Sequence, residues 1–110
     1  MLVVNWVGRS LRDFKSMPQD VQTKIGHLLH MIASGLRPPK CKTLSGFGNA
    51  RIHEIRQNDR SGTFRVVYTT IVKDKIYVLH AFQKKSNRGI ETPKEEVDLI
   101  RKRLEELKSV

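Results

Sequence analysis

Four cations in the middle of the chain lie at spacings that could bring them to one phosphate. Arg56 ends the alternating run Ile52-His53-Glu54-Ile55-Arg56. Arg65 lies inside Thr63–Val72, a run rich in β-branched and aromatic residues. Lys84 and Lys85 follow a third such run, Lys75–Gln83. Side chains alternate between the two faces of a strand. Ile52, Glu54 and Arg56 therefore share one face, and Arg65, Val67 and Thr69 share the face away from Phe64, Val66 and Tyr68. Two neighbouring strands would set Arg56 beside Arg65. Like charges side by side on a sheet cost stability, so an anion between them is the natural explanation. Arginine suits phosphate because its planar fork donates two hydrogen bonds at once. Phe82 offers a stacking surface to a base, and Arg51 and Arg88 extend the basic area at either end.

Such a cluster suits the phosphates of a polyanion; were that polyanion RNA, its cleavage would call for no cofactor, because the 2′-OH is a built-in nucleophile. The protein must aim that hydroxyl at the phosphorus, take its proton, stabilise the charge gathering on phosphate and protonate the leaving 5′-oxygen. Arg56 and Arg65 can stabilise charge. Glu54, His80, Lys84 and Lys85 are the candidates for moving protons. Glu54 is either a base or the ion-pair partner of Arg56 or Arg65. His80 has a useful near-neutral pKa. Strict alternation puts it with Val78 and Phe82, opposite Tyr77, Leu79 and Ala81, so its exposure is open.

Other reactive residue types read as structural. His27 and His30 lie three apart on one helix without a second ligand cluster, so they predict helix-face packing rather than a metal site. Cys41 has no matching His–Asp arrangement and is a poor candidate nucleophile. His53 is expected to pack under the sheet, and Trp6 in the core.

The charge distribution agrees with a polyanionic partner. The chain carries 21 Lys and Arg against 11 Asp and Glu, a net +10. Between residues 36 and 90 there are twelve basic residues and three acidic, so nearly all the excess is concentrated there. The single cysteine and the lack of a signal-like N-terminus suggest the cytoplasm. No apolar run approaches the roughly 18 residues of a membrane span.

The positioning elements follow from periodicity. At 110 residues the chain is expected to form one domain over 1–110. Leu2–Val7 reads as a buried first strand. Ser10 reads as an N-cap with Asp13 as its partner, Pro18 opens a second helix, and Gly35 stops it, so residues 10–34 predict an αα-hairpin. The three strand-like runs follow. Thr92 and Pro93 then start a helix striped by Val97, Ile100, Leu104 and Leu107. The order β-α-α-β-β-β-α predicts an α+β fold: a mostly antiparallel sheet of about four strands, with helices on one face.

These stretches also resemble a known family. Ile52-His53-Glu54-Ile55-Arg56, Gly62-Thr63-Phe64-Arg65-Val66-Val67-Tyr68, Val78-Leu79-His80-Ala81-Phe82-Gln83-Lys84-Lys85 and Thr92-Pro93 resemble the RelE/HigB toxin superfamily, in particular its phage-derived, Gp49-like HigB branch. The resemblance implies a compact microbial-RNase-type domain that cleaves mRNA, typically on the ribosome. It also implies neutralisation by a cognate antitoxin from the same operon, often a helix-turn-helix protein, in a toxin–antitoxin hetero-oligomer. Arg56, Arg65, Lys84 and Lys85 match basic positions of the family. The chain departs from several RelE relatives in carrying Glu54 where they have a lysine. It also lacks any Tyr or His after residue 85, where they place an acid or stacking group.

Two rival readings use the same residues: a non-catalytic module binding RNA or ribosomes through the sheet, and an interaction subunit whose basic face binds an acidic protein. RNA binding by the isolated chain is expected to weaken steeply with salt. Each phosphate contact should add a slope of about −0.7 to log affinity against log salt for single strands. Anisotropy titrations over a salt series measure this, and a flat response would rule out the electrostatic account.

Overall fold

The computed structural model describes residues 1–84 and 92–108. The elements run β1 (Val3–Trp6), α1 (Ser10–Lys15), α2 (Gln19–Ala33), β2 (Cys41–Thr43), β3 (Ile52–Asp59), β4 (Gly62–Thr69), β5 (Lys75–Lys84) and α3 (Lys94–Lys108). The strands form one sheet in the order β1-β5-β4-β3-β2. β1 runs parallel to β5 and every other pairing is antiparallel. The α+β architecture is as the sequence pattern predicts. The fifth strand is β2, three residues long and too short to show a period. β1 is a half-buried edge strand rather than a buried one.

Local chemistry explains most boundaries. Pro18 precedes α2 with φ −54°, a value its ring imposes. Gly35 follows the helix at φ +92°, a conformation that a residue without Cβ adopts without penalty. Ser10 does not cap α1. It lies within the helix, fully buried, and its hydroxyl donates to the Val78 carbonyl at 3.1 Å, tying α1 to β5.

Helices cover both faces of the sheet, not one. α1 and α2 lay Phe14, Met17, Val21, Ile25 and Leu29 against Ile55, Phe64, Val66, Tyr68, Ile76 and Val78. On the reverse face α3 lays Ile100 and Leu104 against Ile52, Val67 and Leu79. The central strands are thus apolar in both directions, as β4 shows by being buried at seven of its eight residues. No helix among the described residues is long and apolar enough to cross a membrane.

A bulge breaks the alternation of β5. Val67 faces His80 while Tyr68 faces Val78, which leaves Leu79 as an extra residue. Beyond the bulge the faces are reset. Val78 and Ala81 pack on the α1/α2 side, whereas Leu79, His80 and Phe82 turn to the α3 side. This corrects the assignment of His80 by strict alternation, which put it on the face of Val78.

If both faces are true cores, Ile100→Ala should cost about 2–5 kcal/mol, as a fully buried isoleucine on either face would. Leu36→Ala, at a 55% exposed position, should stay within about 0.5 kcal/mol. Urea denaturation of the two variants checks this. A near-neutral Ile100→Ala would mean that α3 does not pack as described.

Candidate functional site

Strand register arranges the candidate side chains as rows on the α3 face. Arg56 of β3 lies opposite Arg65 of β4, which lies opposite Phe82 of β5. The next row towards the hairpin end is Asn58, Thr63 and Lys84. The next row in the other direction is Glu54, Val67 and His80. Arg56, Arg65, Lys84, Glu54, Phe82 and His80 therefore share one surface, three strands wide. Lys85 and Arg88 lie outside the described residues. Arg51 is not part of this surface. It lines a cavity of about 180 Å³ on the opposite face with Arg37, Cys41, His53 and Tyr68.

The anion between the two arginines is Glu54 itself. Its side chain has no exposure to solvent. Arg56 Nε donates to Glu54 Oε1 at 2.6 Å, and Arg65 Nη1 reaches the same oxygen at 3.5 Å. The Thr92 hydroxyl, just ahead of α3, donates to the other oxygen at 3.0 Å. A carboxylate can be buried only if its charge is paired and its oxygens are hydrogen-bonded, and three donors meet that condition here. Arg65 is the buried partner, 3% exposed, and Arg56 the accessible one, with 22% of its side chain exposed. Burial lowers the pKa of Arg65 from its ordinary value, Glu54 opposes that effect, and Arg56 adds to it.

This burial corrects the expectation of helices on one face of the sheet, which would leave the face of Arg65 uncovered. Its face does lie opposite Phe64 and Val66, but α3 makes that face a second interior.

His80 is buried and held on both ring nitrogens. Nε2 bonds to Glu96 of α3. Nδ1 lies 3.3 Å from Arg103 Nη1, which also donates to the Leu79 carbonyl at 2.7 Å. A guanidinium only donates, so Nδ1 accepts and Nε2 carries the proton towards Glu96. Phe82 stacks on the imidazole, centroids 4.9 Å apart. Arg103 in turn packs against Gly8, where a Cβ would stand only 3.0 Å from its Nε. Thr92, Glu96 and Arg103 complete the site and escaped sequence reasoning. Each sits more than ten residues from its partner, and a Thr-Pro start and charged helix positions carry no local sign of such contacts.

The remaining histidines and the cysteine are placed apart. His27 and His30 are exposed on α2. His53 is buried beside Tyr68 with its pKa lowered, first by burial and then by Arg37 and Arg51. Cys41 Sγ lies 2.9 Å from the Tyr68 hydroxyl. Trp6 is half-buried, stacked obliquely on Phe14 at 5.1 Å. Among the described residues no group of three or more His, Cys, Asp or Glu could hold a metal ion.

The fold is similar to that of RelE. Against the isolated E. coli RelE toxin the TM-score is 0.58 at 16% identity, over 93% of this chain and 98% of that one. Against the intact E. coli RelBE toxin–antitoxin complex it is 0.59 at 18% identity, over 78% of this chain and 100% of that one. The chain belongs to the phage-derived Gp49-like family, whose sequence profile matches residues 12–105. No curated protein sequence matches it significantly.

The network makes Arg65→Ala destabilising, contrary to what an exposed arginine would give. Glu54 would keep Arg56 but lose its buried partner, a loss of about 1–3 kcal/mol. Glu54→Ala should cost more, about 3–5 kcal/mol, because it leaves a buried guanidinium facing a second cation. Thermal melts of both variants measure the order. Equal and negligible losses would show that the carboxylate does not hold the pair.

Proposed function

We propose that this protein is the toxin of a toxin–antitoxin pair and acts as a metal-independent endoribonuclease on mRNA, at the ribosome. The reading is carried by one observation: two guanidiniums held side by side on the sheet by one buried carboxylate. Membership of the Gp49-like family and the RelE-like fold support it.

In this reading Arg56, the guanidinium that solvent reaches, meets the scissile phosphate. Arg65 lies behind it and supports the charge that accumulates on the equatorial oxygens as the 2′-OH attacks. Lys84 and Lys85 bind flanking phosphates and are the candidates to protonate the departing 5′-oxygen. The products are a 2′,3′-cyclic phosphate and a 5′-hydroxyl. Glu54 serves as a positioning residue. With both oxygens already accepting from Arg56, Arg65 and Thr92, it has little capacity left to take the proton of the 2′-OH. His80 shares the face, but its accepting Nδ1 is occupied by Arg103 and its Nε2 proton is turned to Glu96, so it serves as a positioning residue beneath Phe82. One of the two lysines, in its neutral form, takes the proton of the 2′-OH. Phe82, stacked on His80, presents its ring to a base. The antitoxin binds over or beside this basic face and, as in the RelBE complex, is the partner chain.

Because Arg65→Ala unsettles the fold as well, Arg56→Ala is the more discriminating variant. It should lower cleavage by about 10²–10³-fold, the usual loss on removing one preorganised donor. Arg56→Lys should recover only part, since an ammonium cannot reproduce the two-pronged contact. Induced expression with mapping of new mRNA 5′ ends tests the whole reading. New ends inside coding regions, growth arrest, and relief by the product of an adjacent gene are expected. An accumulating, folded protein that produces no new ends would overturn the nuclease reading.

A further inference from the structure

Beside Arg56 the sheet surface opens into a cavity of about 350 Å³, between the segment after β2 and the start of α3. Its composition is that of a site for a small amphipathic ring carrying a negative group. Leu44, Phe47 and Val97 give apolar walls. Thr43, Ser45 and Thr92 add three hydroxyls, each able to donate or accept. Among the described residues, the two charged ones at its edge, Lys42 and Arg56, are both cations, and no carboxylate lines it. The volume lies at the lower end of the range for ligand sites, about 300–1,000 Å³.

The wall is built rather than incidental. Residues 45–49 read Ser-Gly-Phe-Gly-Asn, a composition that would leave the loop loose. Arg101 of α3 pins it twice. Its guanidinium donates to the Gly46 carbonyl at 2.9 Å and lies 5.4 Å from the centroid of the Phe47 ring. Gly46 is at φ +91°, a conformation that side chains rarely adopt. The aromatic ring is thereby held at the wall of a cavity whose mouth carries the accessible guanidinium.

We infer that this cavity receives the nucleobase of a ribonucleotide whose phosphate engages Arg56, with Phe47, Leu44 and Val97 against the ring and the hydroxyls at its polar edge. The inference rests on the nucleic-acid reading of the site and deepens it. Selection among bases then resides in a pocket next to the arginine pair rather than in the pair itself, which reads only phosphate. Arg101 is a positioning residue for that pocket.

The test is binding of each ribonucleoside 5′-monophosphate to the whole protein, compared with ribose 5-phosphate, which lacks only the base. Affinities and the residues affected are followed by NMR. At least one nucleotide should bind on the order of 10-fold more tightly than ribose 5-phosphate, the gain expected from stacking one base. Shifts should centre on Thr43, Ser45, Phe47 and Val97. S45W, which places a large ring at an exposed edge of the cavity, should remove that gain and leave ribose 5-phosphate binding intact. If S45W does not fold, Phe47→Leu, which keeps the wall apolar but removes the ring, should cut the gain several-fold. Equal binding of nucleotides and ribose 5-phosphate, or shifts centred on the Arg37–Arg51 cavity of the other face, would overturn the inference. The nuclease reading fails separately: base-dependent binding here without RNA cleavage would sink that reading and leave this pocket standing.

Discussion

A buried carboxylate between two arginines is the interaction on which the rest of this structure depends. Arg56 and Arg65 face each other directly across β3 and β4, where two cations would repel strongly in the low dielectric beneath a helix. Glu54 turns that repulsion into a shared attraction and is itself held by the hydroxyl of Thr92. The arrangement demands a lid, since in water the same ion pairs would contribute little. α3 supplies it, and its apolar stripe on Ile52, Val67 and Leu79 fixes where the Glu54–Thr92 contact falls. Packing on one part of the face thus sets the electrostatics of the next part.

The bulge in β5 is the second constraint. Without the extra residue at Leu79, His80 would point into the α1/α2 core, where Val78 and Ala81 now sit. With it, the imidazole joins the charged face, meets Glu96 and Arg103, and stacks on Phe82. One inserted residue decides whether the only histidine of β5 is core or site. Arg103 then links this cluster to the β1–α1 turn through its close approach to Gly8.

The two faces divide the labour. The α1/α2 side carries the larger core, and its helices are tied to the sheet by contacts such as the Ser10–Val78 hydrogen bond. The α3 side carries a smaller core and, beyond it, the arginine row, the stacked Phe82 and the cavity pinned open by Arg101. Within the arginine row Glu54 and Arg65 are covered, and Arg56, with 22% of its side chain exposed, is the member that solvent reaches.

Much of this was legible in the residues themselves. Helical stripes, the Pro18 and Gly35 boundaries and the β-branched runs determine the α+β class and the element order, because these are local preferences of 3.6- and 2-residue periods. Alternation also put Glu54 with Arg56 on one face of β3 and allowed Arg65 to join them, and the register of β3 with β4 is what sets the three on one surface. Tertiary structure decided the rest. Which side of the sheet α3 covers depends on chain crossover, so the burial of Arg65 could not be read from a pattern that looks amphipathic. The face of His80 depends on a bulge that leaves no mark in composition. The partners Thr92, Glu96 and Arg103, and the cavity between the Phe47 loop and α3, arise from segments far apart in the chain, and only packing brings them into contact.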